Sequence, residues 1–214
     1  KMMPSIVILD PELTINLPPF LTAYTGMDAL AHSLEAYCSP FFHPLSQGIA
    51  LEGISIVHKY LLRAFRNGKE IEARSNMLTA SSMGSTAFQK GLGAIHSLSH
   101  PVGAIYNTHH GLTNGVFMPY VLLKNKSAIE DRIIALSRYI NLPKNSFDSF
   151  MNWILDLKKE LGIPNTLKEL IKDDSKFEEM SEMALKDPST SANPITLDKN
   201  DFLELYRSSY NGIL

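Results

Sequence analysis

The chain has little of what marks several protein classes. Among its 214 residues there is one cysteine, Cys38. No intrachain disulfide can form, and a reducing cytoplasm is the default setting. No apolar run reaches the roughly 20 residues that a helix needs to cross a bilayer, so no membrane partner is expected. The opening KMMPSIVILDPELT has one basic residue and a short apolar run broken by Asp10, Pro11 and Glu12. That is too short and too soon charged for a signal peptide. Charge of one sign is scarce: 20 Lys and Arg stand against 22 Asp and Glu, a formal net charge of -2. Basic residues are scattered in short groups such as Lys158-Lys159, which gives no general reason to bind nucleic acid. Walker and GxGxxG motifs are absent. Gly91-Leu92-Gly93 follows no strand and makes a weak phosphate loop. Ser97, Ser99 and His100 lack the G-x-S-x-G turn of a nucleophilic serine.

What is present is apolar content of 44%, enough for a sizeable core in a chain of this length, arranged almost throughout with helical period. Ser5 to Leu9 is a short β-like run in a Pro-containing segment that ends near residue 24. Thr25 is placed to N-cap a helix with Asp28 in its first turn. Leu45 to Arg66 reads as a long amphipathic helix stopped by Asn67-Gly68. Ile71 to Gln89, rich in Ala, Met and Ser, suggests close packing at the centre of a bundle. Gly93 to Tyr106 is a helix interrupted at Pro101, and Gly111 to Asn125 a helix containing Pro119. Ser127 to Ile140 carries a stripe of Ile129, Ile133, Leu136 and Ile140. Ser146 caps a helix ended by Gly162, and Asn165 or Thr166 opens a short one through Ile171. Ser175 to Lys186 and Asn200 to Tyr210 are the last helices, with Asp187 to Ile195 a loop between them. The expected fold is a single all-α domain, a helical bundle with a short extended N-terminal segment.

Histidines are concentrated. Four of the seven, His96, His100, His109 and His110, lie within fifteen residues. Upstream, Asp28 and His32 are four residues apart, which on a helix brings their Cβ atoms to about 5–6 Å on one face. His96 and His100 repeat that spacing. His110 follows Pro101 in a stretch where the chain can turn back. A carboxylate and several imidazoles drawn from two segments suit Fe²⁺ or Zn²⁺, which need ligands near 2.0–2.2 Å. A site without thiolate and with a spare position is more often catalytic than structural. The plain alternative is a satisfied core or surface histidine, the reading given to His43, His58 and His109. Glu35, on the face of Asp28, is a candidate acceptor for a ligand histidine, with a solvated glutamate as the plainer reading. Met77, Met83 and Phe88 read as core.

The stretches VILDPELTINLPPFLTAYTGMDALAHSLEAY and GLGAIHSLSHPVGAIYNTHHGLTNG resemble the two signature regions of iron-containing (group III) alcohol dehydrogenases, in order and suitably separated. The resemblance is strongest over residues 1 to about 125 and looser beyond, where DPSTSANPI and the final helix carry it. It implies an all-helical C-terminal metal domain, like that of the dehydroquinate-synthase-like fold. Residues 25–214 would form that domain, and residues 1–24 would be a connecting segment from a missing nucleotide-binding domain. The metal ligands it implies are Asp28, His32, His96 and His110. His100 matches a non-ligand histidine near nicotinamide and substrate, a candidate for proton relay or substrate orientation. Ala87 stands where many members carry Phe, with Phe88 beside it. The implied activity is hydride transfer between an alcohol or aldehyde and NAD(P), with Fe²⁺, or Zn²⁺ in its place, as Lewis acid. The implied assembly is a homo-oligomer, inactive as this chain alone. Two other readings stay open: related chemistry of the glycerol-dehydrogenase or dehydroquinate-synthase kind, though those lack the DxxxH pairing with HxxxH…H, and a non-catalytic helical module.

Overall fold

The structure, a computed structural model, describes residues 5–214, so the first four residues of the expected connecting segment lie outside it. Eight α-helices are present among the described residues: α1 (Pro19–Cys38), α2 (Pro44–Arg66), α3 (Ile71–Ala87), α4 (Ala94–Tyr106), α5 (His110–Tyr139), α6 (Phe147–Leu161), α7 (Phe177–Lys186) and α8 (Lys199–Asn211). There is no strand among them. The β-like run Ser5 to Leu9 is therefore corrected to irregular backbone. Ile6, Val7 and Ile8 are exposed, because a strand requires a hydrogen-bonded neighbour and none is present.

Helix α1 is the centre of the bundle. It packs against α2 and α3 on one side and α5 on the other, while α4 lies between α5 and α7, and α8 against α7. Ala23, Met27, Leu30, Ala31 and Leu34 of α1 are fully or almost fully buried. The helix starts at Pro19, where proline suits the first turn because its missing N–H would be unpaired anyway. Thr25 is consequently not a cap. It lies inside α1, and its hydroxyl donates to the Leu21 carbonyl at 2.8 Å. At the other end, Arg132 donates to the carbonyls of Tyr37, Cys38 and Ser39 at 3.0, 3.0 and 2.6 Å. A guanidinium thus satisfies carbonyls that a helix C-terminus leaves free and offsets its negative dipole end. Cys38 is buried there, and burial pushes its thiol up to about 12.

Other helices differ from expectation in instructive ways. α3 is not central: Ser81, Ser85 and Thr86 face solvent, and its small residues serve close contact on one face only. Pro101 does not interrupt α4, which runs through it. The turn back falls at Asn107, whose φ of 54° places it in the left-handed region that Asn tolerates. The expected helices on either side of Lys126 are one helix of 30 residues. Asn125 does not break it, because its side chain is committed elsewhere, exchanging hydrogen bonds of 2.9 Å with the Asn193 side chain. Ser146 and Gly162 cap α6 as expected, with Gly162 at φ 68°. Thr166 opens a 3₁₀ turn through a capping box with Glu169.

Candidate metal centre

The two histidine segments meet where the first turn of α5 lies against α1. That approach depends on Gly111: a Cβ there would fall 2.1 Å from the Tyr24 carbonyl oxygen and 3.0 Å from the Asp28 Cβ. With no side chain at Gly111, His110 is brought onto Asp28. α4 arrives from the third side, its N-terminus anchored on two other elements. The Ile95 N–H donates to Glu35 Oε1 at 2.7 Å and the Ala94 N–H to Asn193 Oδ1 at 3.2 Å. These amides, which follow Gly91-Leu92-Gly93, are thus already taken. A carboxylate at a helix N-terminus also meets the positive end of its dipole.

Asp28, His96 and His110 converge so closely that one donor atom from each lies within 4.8 Å of the others. Asp28 Oδ1 is 3.3 Å from His110 Nε2 and 3.7 Å from His96 Nε2. His32 adjoins this group without entering it. Its Nδ1 is 3.8 Å from Asp28 Oδ2, and its ring stacks on His96 with centroids 4.7 Å apart. His100 stands on the outer side, stacked on His110 at 5.3 Å. Its Nδ1 is 2.7 Å from Asp187 Oδ2, and Asp187 Oδ1 accepts the Ser189 N–H at 2.8 Å. His43, His58 and His109 take structural positions. His43 caps α2 by accepting from the Ser46 N–H, His58 lies edge-on to Trp153, and His109 occupies the N-cap position of α5 with its ring beside Tyr24 and no side-chain capping hydrogen bond.

Glu35 corrects the plainer expectation. It is 7% exposed rather than solvated, and its Oε2 lies 2.5 Å from His96 Nδ1. A carboxylate behind an imidazole keeps the Nδ1 proton and turns Nε2 toward the site. Burial pulls the His96 pKa down, but the charge of Glu35 and the nearness of Asp28 overcome it and raise it to about 9. At Asp28, burial pushes the carboxyl up, yet the close imidazoles of His110 and His96 and the charge of His32 hold it well below the usual carboxylate range. Burial also lowers His32.

Asn114 escaped sequence reasoning. It is fully buried on α5, one turn after His110. Its Nδ2 is 2.8 Å from Asp28 Oδ1, 3.1 Å from His110 Nε2 and 3.3 Å from His96 Nε2. The available signal was its spacing of four from His110, which puts both on one face. Asp187 offered no such signal, being 87 residues from its partner His100. The donor set itself tests for a cation. Once His96 yields its proton, three lone pairs face one point where only an amide nitrogen now stands, and an oxygen with two imidazoles is a set that divalent iron or zinc accepts.

A profile of the Fe-containing alcohol dehydrogenase family, C-terminal, matches residues 22–210. The chain is similar to a 4-hydroxybutyrate dehydrogenase of Cupriavidus necator, 38% identical over 97% of this chain and 56% of that protein. It is similar to an NADPH-dependent butanol dehydrogenase of Clostridium saccharobutylicum, 33% identical over 98% of this chain and 56% of that one. Among solved structures, a 1,3-propanediol oxidoreductase superposes with a TM-score of 0.93 at 31% identity, covering 97% of this chain and 56% of the other. The chain thus spans about half the length of the relatives it matches.

Proposed function

The chain belongs to the iron-containing alcohol dehydrogenase family, and we propose that it forms the metal-holding helical part of an NAD(P)-dependent dehydrogenase that interconverts a small alcohol and its aldehyde. The observation that carries this reading is the convergence of Asp28, His96 and His110 on one point. These three would hold the ion, with His32 beside them as the fourth donor. When bound, a divalent ion such as Fe²⁺ or Zn²⁺ supplies Lewis acidity to the alcohol or carbonyl oxygen, and nicotinamide gives or takes the hydride.

The chain's own residues do the remaining work. Glu35 fixes the His96 ring so that Nε2 points inward. His96 must shed a proton to ligate, so loading is linked to pH. Asp187 holds His100 by Nδ1, leaving Nε2 to take up or return the alcohol proton, and the ring, 43% exposed, can pass it to solvent. Phe88, expected in the core, is instead 40% exposed and tilts against His32 at 5.5 Å, adding one apolar ring beside the site. The names of the relatives, a hydroxybutyrate and a butanol dehydrogenase, favour short-chain alcohols here too. The expected boundary after residue 24 falls inside α1, where Ala23 is fully buried, so the segment before Pro19 serves as the connection to a nucleotide-binding domain, and the exposed Ile6, Val7 and Ile8 suit a segment covered by it.

The test is elemental analysis of the full-length protein after anaerobic reconstitution with Fe²⁺ or with Zn²⁺, together with alcohol-dependent NAD(P)H formation. About one ion per chain is expected, lost along with activity in Asp28→Ala. An ion content that Asp28→Ala leaves unchanged would remove the assignment.

A further inference from the structure

An amide NH₂ has two hydrogens, and around Asn114 Nδ2 there are three site atoms: Asp28 Oδ1 at 2.8 Å, His110 Nε2 at 3.1 Å and His96 Nε2 at 3.3 Å. Its other end, Oδ1, is buried without a hydrogen-bond partner among the described residues. A buried carbonyl left unpaired is unfavourable, so the amide is held by its nitrogen end alone. The partial positive charge of that end occupies the point at which the donors converge. A cation drawing on those same lone pairs cannot share them with the N–H groups. Resting on the metal-centre reading above, we propose that Asn114 is the placeholder of this site: its N–H groups hold Asp28 and His110 in array in the metal-free protein and give way when the ion enters.

A placeholder has an opposite signature from a residue that supports the loaded site. Removing it weakens the metal-free state more than the loaded one, so the ion binds more tightly. Zn²⁺ dissociation constants are to be measured by chelator competition at fixed pH on the full chain, for wild type, Asn114→Ala and Asn114→Leu. Melting temperatures of the stripped and loaded forms accompany them. Leu has the same heavy-atom skeleton as Asn without its donors, so it keeps the site filled if the alanine variant does not fold. The expected result is Zn²⁺ binding about tenfold tighter in both variants, from the hydrogen bonds no longer in competition. The metal-induced rise in melting temperature grows, chiefly because the stripped form melts lower. Unchanged or weaker Zn²⁺ binding, or stripped and loaded forms losing equal stability, would overturn the placeholder while leaving the metal centre intact. A wild type that binds no Zn²⁺ would overturn both.

Discussion

The residue that most shapes the chemistry of the site is one that need not touch the ion. Glu35 divides its two oxygens between the His96 ring and the Ile95 N–H in the first turn of α4, so one carboxylate sets both a ligand's orientation and the position of the helix that carries it. Glu35→Gln keeps the shape but removes the charge facing His96. Metal affinity is expected to fall roughly 10- to 100-fold, the usual effect of losing the partner behind a ligand imidazole. A competition titration checks this, and an affinity within twofold of wild type would show that the charge is not needed. Glu35→Ala goes further by leaving the Ile95 N–H unpaired, so it should also lower the melting temperature.

At the scale of elements, the site exists because α5 approaches α1 more closely than an ordinary side chain permits. Two glycines separate that requirement from helix propensity. At Gly111 an added Cβ would meet Tyr24 backbone at 2.1 Å, whereas at Gly48 on α2 nothing lies within 4 Å. Gly111→Ala is therefore expected to cost about 1–3 kcal/mol, as overpacking against an unyielding neighbour does, and to weaken metal binding by moving His110 off Asp28. Gly48→Ala should stabilise by about 0.5–1 kcal/mol, since Gly in mid-helix costs that much relative to Ala. Denaturant unfolding of the two variants measures both, and a Gly111→Ala protein as stable as wild type would mean that α5 does not rest on α1 as described.

For the whole molecule, the marked imbalance lies away from the site. Lys158 of α6 is fully buried, and its Nζ has no hydrogen-bond partner among the described residues. Burial lowers its pKa from 10.5 to about 8, with Glu169 opposing. A lysine whose folded pKa is depressed is most unfavourable when charged in both states, below about pH 8, and ceases to be so as pH rises to the unfolded value near 10.4. Lys158→Met, similar in shape and never charged, is thus expected to be more stable than wild type by about 3 kcal/mol at pH 7. The gap should close between about pH 8 and 10.5. Unfolding free energies of the two proteins across that range decide the matter, and a gap independent of pH would show that Lys158 does not carry it. No helix among the described residues is long and apolar enough to cross a membrane.

Local signals were enough for most of the architecture. Periodicity, with caps such as Ser146 and Gly162, specifies most of the helices, because apolar stripes and capping side chains act within a few residues of where they are written. The same holds for the proximity of Asp28 to His32, one helical turn apart, though not for their joining His96 and His110. Failures occurred where a distant partner overrode a local preference. Asn125 stays helical because Asn193 occupies its amide, and Thr25 lies mid-helix because α1 gains its first turn from Pro19. Glu35 is buried because His96 and the α4 terminus consume both its oxygens. Asn114 and Asp187 became part of the site only through contacts spanning 86 and 87 residues. Such contacts depend on how α1, α4 and α5 are packed, and packing of helices against one another has no period in the chain from which to read it.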